Sequence, residues 1–291
     1  MFAIDQSRRR LITGMLAGPL TGPLARSLSG SLSGPLSGPV TYASRSVLAA
    51  APLGVTGCAV FKRAVIPMAQ LVDQLPNQQG RNHLIVFLPG AYDSPQDFFD
   101  YGFVKAVRDR RLAADIIAID SHLAYFNNYT IPERMRDDVL LPARQRGYRS
   151  IWLVGISLGG FGSLLTTESY PGVTGVVALA PYVATAEVIA EVKSAGGLAQ
   201  WRPETSKASN GWERRLLNWF KRYSAGSVPD TRLLLGYGLQ DRFAASLSVL
   251  GQTLDPKTVL TQPGGHDWPT WTALWQRMLN GFGHDIAARL S

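Results

Sequence analysis

Cysteine is almost absent from this 291-residue sequence, in which Cys58 is the single example. One cysteine cannot form a disulfide within the chain, and it excludes a zinc site built from four cysteines. Long apolar runs are missing as well, because no segment approaches the roughly 18–20 consecutive apolar residues of a membrane-spanning helix. Charged residues make up 17% and hydrophobic residues 46%, which is typical of a globular protein. We expect a folded protein without a metal site.

The basic residues are concentrated near the start of the chain. Residues 1–58 contain five arginines and one aspartate, so this segment carries half of the net charge of +8. A nucleic-acid-binding protein would instead place lysine and arginine on one face of a recognisable folded module, and the sequence contains no such module. We interpret the arginines as part of a targeting segment and expect no nucleic-acid partner.

Residues 1–58 also differ in composition from the rest of the chain. Glycine, proline and serine recur through 18–24 and 29–36 at a density that prevents a stable helix or a packed core. A short apolar patch at 47–55 then leads into Cys58. A basic start, an apolar stretch and a small-residue processing site are typical of an export signal. We therefore predict a leader over 1–58 and a folded domain over 59–291.

Two motifs in the leader resemble known export signals. Ser7-Arg8-Arg9-Arg10-Leu11 resembles the twin-arginine motif, and Val55-Thr56-Gly57-Cys58 resembles a bacterial lipobox. The lipobox resemblance implies that the Cys58 thiol is acylated and anchors the protein in a membrane. We expect a lipoprotein on the periplasmic side of the cell envelope, with a secreted or soluble periplasmic protein as the alternative. A leader with chance arginines and one buried thiol is the other interpretation.

Apolar, strand-like runs alternate with helical periodicity from residue 83 onward. Strands are predicted at 83–88, 114–119, 150–154, 173–180, 231–237 and 258–261, and helices at 95–111, 132–146, 158–170 and 268–278. Strands that are apolar on both faces and separated by helices indicate an α/β fold, in which helices cover both faces of a mostly parallel sheet. In such sheets, functional residues gather at the carboxyl ends of the strands.

The sequence Gly155-Ile156-Ser157-Leu158-Gly159 follows a predicted strand and opens a predicted helix. This is the context in which a G-x-S-x-G motif lifts a serine hydroxyl above the sheet, in a turn too tight for larger neighbours. The hydroxyl then lies at a helix N-terminus, which favours negative charge. We predict that Ser157 is a catalytic nucleophile, the alternative being a glycine-rich turn needed only for packing.

A serine hydroxyl needs a base to remove its proton, and the base needs a carboxylate that fixes its tautomer. In folds with this serine turn, the three residues follow the chain order serine, acid, histidine. Asp241 and His266 satisfy that order, and both follow predicted strands. Among the four histidines, only His266 has the right order and setting. Asp267 is a poor acid because neighbouring side chains on a loop rarely form the required hydrogen bond.

An oxyanion formed during attack on a carbonyl requires backbone N–H donors. One is expected from Leu158, the residue after the nucleophile. The other is expected from Ala91, in the loop that follows the strand at 83–88, with Tyr92 as the second choice. The alternative interpretation of this loop is an ordinary turn at Pro89-Gly90.

From this loop to His266, the chain resembles α/β-hydrolase esterases, and the phrase His266-Asp267-Trp268-Pro269-Thr270-Trp271 is similar to the histidine loop of esterase-D-like and mycolyltransferase-like hydrolases. The resemblance implies an α/β-hydrolase fold, a small-molecule ester substrate and no cofactor. It also implies a helical lid at about 183–229, a segment that contains three tryptophans and interrupts the strand pattern. A pair of surface helices packing those tryptophans on the sheet is the alternative. His122, Tyr125 and Phe126 could form another wall of the pocket.

The leading prediction is therefore a serine hydrolase that cleaves carboxylic esters through an acyl-enzyme. An acyltransferase would use the same three residues, and so would a peptidase. A non-catalytic binding protein of the envelope is the alternative from another functional class. The fold hosts many chemistries, so the sequence leaves open the substrate, the export route and the oligomeric state.

Overall fold

A mostly parallel sheet of seven strands forms the centre of the molecule. The computed structural model describes residues 62–76, 82–203, 211–228 and 231–287. Its strands are β1 (Gln70–Asp73), β2 (His83–Leu88), β3 (Asp115–Ile119), β4 (Ser150–Ile156), β5 (Gly175–Leu179), β6 (Arg232–Gly238) and β7 (Val259–Gln262). Their spatial order is β1-β3-β2-β4-β5-β6-β7, and every neighbouring pair is parallel except the antiparallel pair of β1 and β3. The predicted α/β architecture is confirmed, with each of the six predicted strands present.

Helices surround this sheet. They are α1 (Asp97–Asp100), α2 (Phe103–Asp109), α3 (Leu123–Asn127), α4 (Ile131–Arg134), α5 (Leu141–Gln145), α6 (Leu158–Ser169), α7 (Ala186–Ser194), α8 (Trp212–Ser224), α9 (Ala244–Gly251) and α10 (Trp268–Ile286). A π-helical segment, Met135–Leu140, joins α4 to α5, and a 3₁₀ turn, Pro256–Thr258, precedes β7. Within the described residues, no helix is both long and apolar enough to span a bilayer.

The central strands are buried because helices cover the sheet. All five residues of β5 and six of the seven residues of β4 are buried. These strands consist largely of valine, isoleucine and leucine, whose branched side chains suit a sheet that is covered on both faces. Burial of this kind removes the alternation of polar and apolar residues, which is why the strands read as continuous apolar runs in the sequence.

Two of the predicted helices are wrong in detail. The helix predicted at 95–111 is two helices, α1 and α2, separated at Gly102, whose φ of 77° is left-handed and cannot continue a right-handed helix. The helix predicted at 132–146 contains the π-helical segment, which ends two residues before Pro142. Proline lacks an N–H group and its ring crowds the carbonyl four residues earlier, so the local bonding pattern shifts.

Strand β1 was missed by the sequence analysis. It is an edge strand of four residues, three of which are exposed, including Leu71 and Val72. A strand with no buried face lacks the apolar pattern by which strands are detected. The last predicted helix is also longer than expected, since α10 extends to Ile286.

An aromatic cluster fixes α10 against the sheet and α2. The ring of Phe103 stacks on Trp275 with centroids 5.7 Å apart, and both rings meet Phe87 of β2 edge-on. The Trp275 indole also donates a hydrogen bond to the carbonyl of Phe103 at 3.1 Å. Because α10 begins two residues after His266, this packing fixes the position of the histidine loop relative to the sheet.

Candidate active site

Ser157 occupies a sharp turn between β4 and α6. Its φ of 53° and ψ of −113° are backbone angles that residues with a side chain rarely adopt. Hydrogen bonds hold this conformation: the Ser157 N–H donates to the carbonyl of Leu179 at 2.9 Å, and the Ser157 carbonyl accepts from the N–H of Tyr182 at 3.0 Å. The turn presents the hydroxyl at the carboxyl end of β4 and at the N-terminus of α6, where the helix dipole favours negative charge.

Gly159, the last residue of the motif, must be glycine because the backbone at the end of β2 packs directly against it. A Cβ atom on Gly159 would lie 2.1 Å from the carbonyl oxygen of Leu88, far inside contact distance. The end of β2 therefore packs directly on the first turn of α6. This contact brings the loop after β2, where an oxyanion donor was predicted, beside the nucleophile.

The three predicted catalytic side chains form one hydrogen-bonded chain. His266 Nε2 lies 2.9 Å from Ser157 Oγ, and His266 Nδ1 lies 2.8 Å from Asp241 Oδ2. The other carboxylate oxygen, Asp241 Oδ1, accepts from the Phe243 N–H at 2.7 Å. The side chain of Asp241 is fully buried, whereas that of His266 is 12% exposed. Each ring nitrogen of His266 thus faces one partner, the acid on one side and the hydroxyl on the other.

Two hydrogen bonds tie the loops of the acid and the histidine together. The N–H of Gln240 donates to the carbonyl of Gly264 at 2.9 Å, and the N–H of Gly264 donates to Gln240 Oε1 at 2.6 Å. Asp241 follows the first of these residues directly, and His266 lies two positions after the second. The pairing therefore sets the spacing between Asp241 and His266.

The remaining acid and histidine candidates have other roles in the fold. Asp267 caps α10 by accepting from the Thr270 N–H at 3.0 Å. His83 begins β2, and His284 is largely exposed on α10. His122 is buried and caps α3, its Nδ1 accepting from the Ala124 N–H at 3.4 Å. None of these side chains takes part in the hydrogen-bonded chain that contains Ser157.

The predicted oxyanion donors lie on the two elements that meet at Gly159. Leu158 is the first residue of α6, and the first N–H groups of a helix have no partner within it. Ala91 lies in a turn closed by the Asp93 N–H, which donates to the carbonyl of Gly90 at 3.3 Å. Within the described residues, no protein acceptor is bonded to the Ala91 N–H. The role of Ala91 and Leu158 as oxyanion donors remains a prediction.

Aromatic rings flank the histidine. Phe243 and Trp271 both meet the His266 ring edge-on, with centroids 5.1 and 5.0 Å away. Phe243 also contacts Tyr182, the residue whose N–H binds the Ser157 carbonyl. These rings restrict rotation of the imidazole and keep its surroundings apolar, which strengthens its hydrogen bonds.

The segment predicted as a lid contains α7 and α8. An ion pair between Glu191 of α7 and Arg214 of α8 joins the two helices. Trp212, Trp219 and Phe220 of α8 are buried. The ring of Trp212 packs 6.3 Å from that of Phe161, one helical turn after the nucleophile. Trp212 is therefore part of the packing against α6, and the opening and closing of a lid remains a prediction.

The residues predicted as a second pocket wall are buried in the same region. Phe126 stacks with Phe161 at 6.5 Å. The Tyr125 hydroxyl donates to the Val65 carbonyl at 2.8 Å and accepts from the Val65 N–H at 3.0 Å. Tyr125 thus holds the segment before β1, and the proposed wall role of His122, Tyr125 and Phe126 stays a prediction.

Two carboxylates near the site were missed by the sequence analysis. Glu213 of α8 accepts hydrogen bonds from the Tyr182 hydroxyl and the Thr185 N–H, and burial raises the pKa of Glu213. Asp93 accepts from the Trp268 indole at 3.0 Å, and burial raises the pKa of Asp93 despite this hydrogen bond. The position of Asp93, three residues after Gly90 in the predicted oxyanion loop, is the signal that could have identified it.

In the described part of the chain, no group of three or more histidine, cysteine, aspartate or glutamate side chains is arranged to hold an ion. Cys58, the predicted lipidation site, lies outside the described residues.

The chain matches a known protein family over most of its length. A model of the Alpha/beta hydrolase family matches residues 85–289, which include Ser157, Asp241 and His266. No curated protein matches the chain significantly.

Solved structures of three other proteins are similar to this chain. The S-formylglutathione hydrolase of Staphylococcus aureus is 14% identical with a TM-score of 0.50, covering 74% of this chain and 95% of its own. A ferulic acid esterase is 15% identical with a TM-score of 0.48, covering 76% and 99%. Est1E of Butyrivibrio proteoclasticus is 15% identical with a TM-score of 0.46, covering 75% and 94%. At 14% identity, the likeness to the first of these shows a shared fold.

Proposed function

Because this chain belongs to the alpha/beta hydrolase family, we propose that it is a serine hydrolase that cleaves carboxylic esters through an acyl-enzyme intermediate. The observation that carries the proposal is the continuous hydrogen-bonded chain from Ser157 Oγ through His266 to the buried Asp241. A nucleophile, a base and an orienting acid in hydrogen-bond contact are the minimum machinery for acyl transfer.

In the proposed acylation step, the three residues of this hydrogen-bonded chain act together. Ser157 Oγ attacks the ester carbonyl carbon while His266 Nε2 takes the hydroxyl proton. Asp241 keeps the other ring proton on Nδ1 and stabilises the imidazolium that forms. The carbonyl oxygen becomes an oxyanion between the N–H groups of Leu158 and Ala91. His266 then returns its proton to the alkoxide, which leaves as an alcohol and leaves the acyl group on Ser157.

Deacylation repeats these steps with water as the nucleophile. His266 accepts a proton from the water as it attacks the acyl carbon, and then protonates Ser157 Oγ as the carboxylic acid leaves. We propose ester cleavage rather than peptide cleavage because an alcohol is a better leaving group than an amine. The esterase resemblance of the His266-to-Trp271 loop favours the same choice.

The test combines active-site labelling with turnover. Purified protein is treated with a fluorophosphonate, and a chain-length series of p-nitrophenyl esters is assayed with wild type and Ser157→Ala. We expect wild type to label and to turn over at least one ester, and Ser157→Ala to do neither. Equal labelling of both proteins would refute the proposal. Transfer of most of the acyl group to an added alcohol would identify an acyltransferase instead.

We also propose that the protein is anchored through Cys58 on the periplasmic side of the cell envelope. The support is the lipobox resemblance, together with the small number of residues between Cys58 and the folded domain. The Lys62 side chain, four residues after Cys58, already pairs with Asp120 at 3.0 Å. An anchor at Cys58 would thus hold the domain close to the membrane surface. Fractionation tests this proposal: Cys58→Ser should release the protein from membranes, and unchanged membrane association would contradict it.

A further inference from the structure

Asp93 lies in the turn after β2 that carries the Ala91 N–H. The mechanism above gives this carboxylate no role. A Cβ atom placed on Gly90 would lie 2.3 Å from Asp93 Oδ2 and 3.6 Å from the Cβ of Ser157. The same glycine therefore separates the carboxylate from the nucleophile. A negative charge here does not favour an oxyanion a few ångströms away, because like charges repel.

The geometry of Asp93 points to a mechanical role. Its Oδ1 accepts from the indole N–H of Trp268 at 3.0 Å, a contact between residues 175 positions apart in the sequence. Asp93 belongs to the turn that carries the Ala91 N–H, and Trp268 lies two residues after His266. The hydrogen bond thus joins the loop of the oxyanion donor to the loop of the base.

The Trp268 end of this connection is rigid. Its ring stacks on Tyr101 with centroids 4.5 Å apart and meets Phe98, Phe103 and Trp271 edge-on. Trp271 in turn lies edge-on to His266. The turn at the Asp93 end is closed by one backbone hydrogen bond of 3.3 Å, and the next residue, Ser94, donates its N–H and hydroxyl to Asp97 Oδ2 at 2.6 and 2.9 Å. None of these bonds reaches the histidine loop, so the bond from Trp268 is the one that sets the turn relative to that loop.

We infer that Asp93 is a positioning residue, whose hydrogen bond to Trp268 fixes the turn carrying the Ala91 N–H relative to Ser157 and His266. The inference rests on the proposed function. It concerns the placement of an oxyanion donor, so loss of the tether should slow the chemical step more than it weakens substrate binding.

Four variants separate this role from general stability. Asp93→Ala removes the acceptor, and Trp268→Phe removes the donor while keeping a ring. Asp93→Asn retains an acceptor oxygen for the indole but removes the charge. Asp100→Ala is the matched control, because Asp100 is an exposed carboxylate on α1 whose side chain accepts a hydrogen bond from Gln96.

We expect Asp93→Ala and Trp268→Phe each to lower kcat, and the second-order rate of fluorophosphonate labelling, about 10- to 100-fold, since a displacement near 1 Å can have that effect. KM should change less than about threefold, because binding contacts remain. Asp93→Asn should retain activity within about threefold. The double variant Asp93→Ala/Trp268→Phe should lose no more than the worse single variant, since both remove one interaction. Asp100→Ala should match wild type.

Three results would overturn the inference. One is an Asp93→Ala labelling rate within twofold of wild type, and another is losses that multiply in the double variant. The third is an Asp93→Asn variant as slow as Asp93→Ala, which would show that the charge acts rather than the tether. A wild-type protein that fails to label would instead refute the proposed function, so the two failures are distinguishable.

Discussion

Replacing Asp241 by asparagine tests the proposed mechanism at its most buried point. The two carboxylate oxygens have different partners: Oδ1 accepts from the Phe243 N–H at 2.7 Å, and Oδ2 faces His266 Nδ1 at 2.8 Å. Asparagine offers one oxygen and one NH₂ group in place of two acceptors. The Phe243 N–H requires the oxygen, so the NH₂ group must turn toward His266.

This arrangement reverses the tautomer of the base. An NH₂ group donates, so His266 Nδ1 must become an acceptor and the ring proton moves to Nε2. Nε2 then carries a proton and cannot take another from Ser157, 2.9 Å away. Water cannot correct the arrangement, because the Asp241 side chain is fully buried. The same reversal in a serine protease lowers kcat about 10⁴-fold, which corresponds to roughly 5.5 kcal/mol in the barrier.

Two measurements check this prediction for Asp241→Asn. Ester turnover should fall by about 10⁴-fold, and nitrogen-15 NMR of His266 should show the proton move from Nδ1 to Nε2. Asp267→Asn is the matched control, since Asp267 is exposed and caps α10, and asparagine caps a helix equally well. The reasoning is refuted if Asp241→Asn keeps more than about a tenth of wild-type kcat, or if activity is lost while the proton stays on Nδ1.

Two further predictions concern the packing and the pH dependence of stability. Gly159→Ala places a Cβ 2.1 Å from the Leu88 carbonyl oxygen and should lower the free energy of unfolding in urea by about 3 kcal/mol or more. The control is Gly281→Ala on α10, where the added Cβ meets open space, and it should stabilise the protein by up to about 1 kcal/mol. Equal effects of the two alanines would contradict this. Burial raises the pKa of Glu213 above its ordinary 4.5, so the folded state keeps this proton to higher pH than the unfolded chain. The resulting stability is present below about pH 4.5 and is lost as pH rises through the raised pKa. The melting temperature of wild type, measured relative to that of Glu213→Gln, should therefore fall over this pH range. A difference between the two melting temperatures that does not change with pH would contradict the prediction.

The position of Asp93 shows what sequence patterns cannot supply. Motif and chain order predicted Ser157, Asp241 and His266, because a strand, a tight turn and a helix in fixed succession leave few positions for these residues. The contact between Asp93 and Trp268 joins distant parts of the chain, and no local pattern encodes it. Strand β1 was missed for a related reason, since its exposed residues carry no burial signal and its pairing with β3 is decided by the tertiary structure.

The sequence by itself determined the elements whose physical signal is local. Continuous apolar runs predicted the buried parallel strands, and the glycines around Ser157 predicted the turn that carries its hydroxyl at the end of β4. The tertiary structure alone decided the distances between loops: the two hydrogen bonds of His266, the pairing of Gln240 with Gly264, and the packing of Trp212 on α6. These contacts depend on how helices pack over a twisted sheet, and such packing sums many weak long-range interactions that no short stretch of sequence records.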